Sequence, residues 1–438
     1  MRLTNVTRLS LPNGSLSSLR VEMRVRADSP LPVSFDQRRH VELGDRPGSW
    51  MAISFRLPDG TSPTVLEAAW LHVVGRHGTL RTVFSETPAG PQLHSAEVTG
   101  AEWVRHPLPE GTPARDGVRA VFDRECRPYA APSHRVCLLE PDPSEPDGRP
   151  IAIIGADHAH VDMWSLLVLA RDLLAHVEGV PLDGPVEAFA VHTALLEGMP
   201  PAPADVRDEW AHLLAEEPAL LPTFPLPLGN LSEPRPEVVT VQDVLDSDAF
   251  ARLNDHADAQ RVRITSLAIG LMAEVTRQLA GTRLRAVFPV HSRFETRWHG
   301  AVGWFITNSV LTCDEPDPRA GAAAVKQALR LGSYPLAPVF APHGGMPAPP
   351  GMFALSWLDT RRIPVDLPAE AGGQWISAAI RTDGVMIWFV VNDDGLHLRS
   401  RHPDTPEAHA SVSRWVDAVA RAFQDAARRP VPVAAPIA

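Results

Sequence analysis

Residues 151–165 read IAIIGADHAHVDMWS, and the fold of the chain depends on how they are read. Ile151, Ile153 and Ile154 form a short apolar run of strand type. Asp157, His158, His160 and Asp162 then fall within six residues. From Trp164 onward, WSLLVLARDLLAHVEG places apolar residues at helical spacing and stops at Gly179. Ionisable residues wedged between a buried strand and a buried helix are costly, because burying charge is expensive. That cost points to chemistry at this turn.

Two chemistries fit, beside a bland reading as a strand end with solvated polar groups. In the first, His158 and Asp162 form H-x-x-x-D, with His158 a general base and Asp162 a structural partner of the turn. In the second, His158, His160 and Asp162 form H-x-H-x-D, a zinc cluster of the metallo-β-lactamase type. That pattern continues with another His directly after the Asp, where this chain has Met163.

The 438 residues are enough for two ordinary domains. A net charge of −11 argues against a general nucleic-acid binder, which needs cationic groups to replace counterions. Cys126, Cys137 and Cys313 are scattered, with no C-x-x-C, so neither a disulfide framework nor a cysteine-rich zinc site is expected. No signal-peptide pattern opens the sequence and no apolar run reaches membrane-spanning length, so a cytoplasmic protein is the expectation.

Outward from the central stretch, 134–140 reads as a neighbouring strand and 63–78 as a helix with Leu66, Ala69, Trp70, Val73 and Val74 on one face. Arg76, His77 and Arg81 follow and read more naturally as a helix end than as an active-site triplet. The Pro-rich stretch 184–235, with short helical pieces, reads as a linker between an N-terminal lobe (1–183) and a C-terminal lobe (236–438). In the second half, 265–281 is a helix capped by Thr265 or Ser266. Trp375–Ile380 and Met386–Asn392 read as a hairpin across TDG, and 406–427 as the closing helix.

Several segments together resemble the condensation-domain superfamily of acyltransferases. VSFDQRRH (33–40) resembles its P-x-S-x-x-Q-x-R, and RHGTLRTVF (76–84) its R-H-x-x-L-R-T-x-F. DHAHVDMWS (157–165) resembles H-H-x-x-x-D-G-x-S. FPVHSRF is similar to the strand that ends in the family Arg, and GAVGWFITNSVL to its G-x-F-x-N segment. SWLDTRRIP stands where D-F-G-W-G is usual. The resemblance implies an α+β fold of two-layer α/β type: two chloramphenicol-acetyltransferase-like lobes in a V with a central substrate tunnel. It assigns the base to His158, with Asp162 paired to Arg293, and makes His160 a spectator, so no metal is expected. Asp157, Met163, Trp164, Ser165, Trp304, Thr307, Asn308 and Trp357 become tunnel candidates. Asp157 replaces the motif's first His and Met163 its Gly, a residue that allows close backbone approach.

The function the resemblance implies is a free-standing acyltransferase of specialised metabolism with no bound cofactor. It would take an acyl group from a thioester, on coenzyme A or on the phosphopantetheine arm of a carrier protein acting in trans, and pass it to an amine or hydroxyl. Arg361 and Arg362 are a candidate docking cluster for an acidic carrier. The rivals are an inactive, carrier-binding scaffold and a zinc hydrolase using His158, His160 and Asp162.

Overall fold

The computed structural model describes residues 1–216 and 220–430. Residues 217–219 of the expected linker and 431–438 of the expected C-terminal lobe lie outside the described residues. The chain forms two compact units, and neither is contiguous. The first comprises Met1–Gly198, Arg293–Ile306 and Ile363–Ala379; the second comprises Met199–Ser292, Thr307–Arg362 and Ile380–Ala438. The first unit thus takes two segments from a region that a contiguous division at 184–235 gives wholly to a C-terminal lobe. The stretch 184–235 itself holds two helices, Phe189–Glu197 and Ala204–Ala215.

An eight-stranded sheet organises the first unit. Its order is Arg2–Asn5, Gln374–Ser377, Trp50–Arg56, Ile151–Asp157, His134–Pro141, Gly14–Leu31, Gly90–His106 and Thr82–Thr87. Ile151–Asp157 lies in the interior of this order, antiparallel to both neighbours, and every one of its residues is buried. This explains its unbroken apolar run, since a strand covered on both faces has no reason to alternate. Gly155 on this strand lies where a Cβ would meet the Phe122 ring at 2.7 Å, so the helix Ala114–Glu125 packs directly on the strand backbone. The helix Pro63–Arg76 starts at Ser62, whose Oγ accepts from the Val65 N–H, with Pro63 in its first turn. It buries Leu66, Ala69, Trp70, Val73 and Val74, the face expected.

The second unit holds a seven-stranded sheet. Its order is Ile306–Cys313, Leu284–His291, Phe353–Asp359, Val385–Asn392, Gly395–Pro403, Arg235–Asp246 and Arg381–Thr382. Its core gathers Phe353, Phe389, Trp415 and Phe423 against the helices Ile264–Ala280 and Pro406–Arg428. Trp415 donates its indole N–H to Thr276 Oγ1 at 3.0 Å, which in turn donates to the Met272 carbonyl.

Two local expectations fail. Gln374–Ser377 does not pair across TDG; it joins the first unit's sheet beside Arg2–Asn5 and Trp50–Arg56. The hairpin partner of Val385–Asn392 is Gly395–Pro403. The helix expected at 265 begins at Ile264 with Arg263 as a cap that makes no side-chain bond, so Thr265 and Ser266 lie inside it. Ser266 is buried, and the cap role it was given goes unfilled.

Candidate active site

The turn after Ile151–Asp157 is held by backbone bonds before any side chain acts. Asp157 N–H donates to the Ser133 carbonyl at 2.8 Å, His158 N–H to Ser49 at 2.9 Å, and His160 N–H back to Asp157 at 2.9 Å. The Asp157 side chain is fully buried beneath this turn. Its Oδ1 accepts from the Ala159 N–H at 2.9 Å and its Oδ2 lies 3.2 Å from His40 Nε2. The other ring nitrogen of His40 is 3.0 Å from a guanidinium nitrogen of Arg46. Arginine only donates, so His40 Nδ1 is the acceptor and Nε2–H donates to Asp157. Burial opposes the charge on Asp157, yet the hydrogen bond from His40 and the electrostatics of His40 and His160 hold its pKa below the ordinary carboxylate value.

His158 is oriented by the same turn. Its Nδ1 lies 2.9 Å from the Val161 carbonyl oxygen, which can only accept, so Nδ1 carries the proton and Nε2 keeps its lone pair. The imidazole stacks on Trp304, with ring centres 4.0 Å apart and planes 16° from parallel. His40 stands edge-on to both rings, 6.0 Å from His158 and 5.4 Å from Trp304. Burial, helped by the neighbouring His40, pushes the pKa of His158 down to about 4. At neutral pH it is an uncharged imidazole, the form a base needs.

Asp162 ends the turn and starts the helix Met163–Val177, with Oδ1 accepting the Ser165 N–H at 2.6 Å. Arg293 meets both carboxylate oxygens, at 3.1 and 3.3 Å. The same guanidinium donates to Ser165 Oγ and to the carbonyls of Trp298 and Ala301, each at 2.7 Å. It also lies over the Phe305 ring at 3.8 Å. Asp162 Oδ2 accepts in addition from the Phe305 N–H at 3.1 Å. Ser165 Oγ bonds both the N–H and the carbonyl of Gly303. One buried ion pair therefore ties the motif turn to the segment 293–306, which carries Trp304 to the face of His158.

No family model matches the chain. A dimodular nonribosomal peptide synthase of Bacillus subtilis (strain 168) is 28% identical over 321 residues, which is 66% of this chain and 13% of that protein. A probable non-canonical nonribosomal peptide synthetase of Salinispora arenicola (strain CNS-205) is 30% identical over 308 residues, which is 65% of this chain and 4% of that protein. The chain thus spans a small part of these curated relatives. Among solved structures, PapA2 acyl transferase superposes with a TM-score of 0.83 at 19% identity, covering 98% of this chain and 100% of that one. The first condensation domain of the calcium-dependent antibiotic synthetase superposes with a TM-score of 0.69 at 15% identity, covering 94% and 99%. The fold is that of the condensation-domain superfamily.

Within this condensation fold the predicted site residues divide. His158, Asp162, Arg293, Ser165, Trp164 and Trp304 come together as described, with the Trp164 indole N–H donating to the His299 carbonyl at 3.0 Å. Ser165 and Asp157 are not open lining: both are fully buried, and their polar atoms are engaged by the bonds given above. Met163 stands where the resemblance puts a Gly, yet it is the first residue of an ordinary helix, and its carbonyl accepts from the Trp375 indole. It is not among the described residues with positive φ, so the replacement strains no backbone. Thr307 and Asn308 fall on the strand Ile306–Cys313, within the second unit. Trp357, also in that unit, stacks on Phe389 and packs on its core.

His160 is buried edge-on to Phe84, and both Asp162 oxygens are engaged by Arg293 and backbone N–H groups. Among the described residues no group of three or more His, Cys, Asp and Glu is arranged to hold a metal ion. No helix among them is long and apolar enough to cross a membrane. The residues that sequence reasoning passed over are His40 and Arg46. A carboxylate in place of the motif's first His was the available signal, because a buried carboxylate requires a donor.

Proposed function

We propose that the chain is a condensation-type acyltransferase with His158 as its general base. The observation that carries this reading is the fixed tautomer of His158, whose Nδ1–H is bonded to Val161 and whose Nε2 keeps its lone pair. The donor is an acyl thioester on coenzyme A or on the phosphopantetheine arm of a carrier protein, and the acceptor is an amine or hydroxyl. The similarity to nonribosomal peptide synthetases supports a carrier-bound thioester, and the likeness to an acyl transferase and to condensation domains supports the reaction type.

A thioester is already activated, so no covalent enzyme intermediate is needed. The acceptor's nitrogen or oxygen attacks the carbonyl carbon with its lone pair while Nε2 of His158 takes the proton from its N–H or O–H. The tetrahedral intermediate then collapses and expels the thiolate, which recovers the proton from the imidazolium. The imidazolium that His158 becomes offsets the negative charge that develops on the carbonyl oxygen. Asp162 and Arg293 move no proton; their pairing keeps the turn in place.

Thiol release from a panel of acyl-coenzyme A and acyl-carrier thioesters, with amine and alcohol acceptors, tests the reading. His158→Ala lowers the rate by about 10² to 10⁴, the span of general base catalysis. Equal release by the two proteins overturns the assignment of His158. Thioester binding without turnover in either protein replaces it with the carrier-binding scaffold.

A further inference from the structure

A second candidate site lies in the first unit, in a cavity of about 170 Å³. Its walls are largely apolar: Leu31, Leu93, Ala96, Ala188, Phe189 and Ala190. Polar side chains also reach the lining, but most are already committed. Thr79 Oγ1 donates to the Val302 carbonyl and Thr82 Oγ1 to the Thr79 carbonyl. Gln37 accepts from the Ser34 N–H and donates to the Ala159 carbonyl, at 3.0 and 2.8 Å. No Asp or Glu lines the cavity.

Arg81 is different. It closes the short turn Gly78–Arg81 that leads into the strand Thr82–Thr87, and it lines this cavity. Its Nε is buried without a hydrogen-bond partner, as are those of Arg127 and Arg293, but unlike them it has no ion pair among the described residues. Other arginines of the same unit behave otherwise: Arg76 is paired with Asp172 at 2.9 Å, Arg135 with Glu125 at 2.6 Å, and Arg293 with Asp162. A guanidinium offers five donors in a planar fork and always carries its charge. Partly buried and lining a largely apolar cavity, it has no carboxylate partner among the described residues.

We infer that this cavity binds a small monocarboxylic acid, with its carboxylate on Arg81 and its apolar body against Leu93, Ala96 and Phe189. A carboxylate matches a single guanidinium fork, whereas a phosphate group draws on several donors that Thr79, Thr82 and Gln37 have already spent. The volume has room for a benzene-sized body, which an apolar cavity of roughly 150 Å³ admits. The ligand is therefore a benzoate-sized acid. The site stands apart from the role given to His158, although Gln37 joins the cavity wall to the turn through Ala159.

Titration calorimetry of the full chain with sodium benzoate and with benzamide, its uncharged counterpart, tests this. The wild type binds benzoate saturably and benzamide at least about tenfold more weakly. Arg81→Gln brings benzoate down to the benzamide level and leaves benzamide unchanged, and Ala190→Leu, which fills the cavity, removes both. Arg81→Lys, which keeps the charge but not the fork, binds benzoate more weakly and still prefers it over benzamide; this variant decides the matter should Arg81→Gln not fold. The inference fails if the wild type shows no saturable benzoate binding, if the two ligands bind it alike, or if Arg81→Gln keeps the wild-type benzoate affinity.

Discussion

Arg293 and Asp162 are both nearly without solvent contact, and each is bonded to more than the other. Removing one partner of such a pair strands the remaining charge, whereas removing both does not. Asp162→Ala is therefore expected to cost about 3–5 kcal/mol in urea unfolding. The doubly substituted chain Asp162→Ala, Arg293→Met should fall short of the sum of the single losses by more than about 1 kcal/mol. Additive losses would mean that the pair is not a unit. At the same scale, the base role proposed for His158, whose pKa is pushed down to about 4, has a visible signature. The acid limb of kcat/KM belongs near that value instead of near 6.5, with activity lost as pH falls and His158 takes up its proton. A limb at the ordinary histidine value would contradict the burial argument. His158 and Asp162 were legible because their spacing is local. The His40 partner of Asp157 was not, because it lies 117 residues away and only the sheet brings the two together.

Element by element, legibility follows burial. The helix Pro63–Arg76 matched expectation because its apolar face, its Ser62 cap and its Pro63 all speak for the same start. The helix Ile264–Ala280 lacks such a cap, and polar residues near its start misplace the boundary. The supposed hairpin at TDG failed because turn residues announce a reversal without naming the partner strand. Gly155 shows what packing adds. Its lack of a side chain lets the Phe122 ring lie against the strand that carries the site. Gly155→Ala should destabilise the chain by about 1–3 kcal/mol, as overpacking of a tight core does. Combined with Phe122→Leu, which frees the space, its cost should shrink in a double-mutant cycle of unfolding midpoints. An undiminished cost would refute the close approach as the reason for the glycine.

At the scale of the whole molecule, buried neutral histidines set the response to acid. His134 is bonded to the Leu80 carbonyl and held down to about 3, and His158 is held at about 4. The unfolded chain, with ordinary values near 6.5, binds more protons than the native one below that pH. This part of the stability is complete above about pH 6.5 and is lost as pH falls toward the folded values. Urea midpoints should therefore drop between about pH 7 and about pH 4, and a flat profile would show that these histidines titrate normally. The order of strands and helices, the buried strand at 151–157 and the H-x-x-x-D turn were written in the sequence by itself, because local periodicity and spacing encode them. Only the tertiary structure decided that 293–306 and 363–379 join the first unit, that His40 answers Asp157, and that Arg81 lines a largely apolar cavity. Each of these depends on contacts between residues far apart in the chain, and free energy of burial, not sequence proximity, selects them.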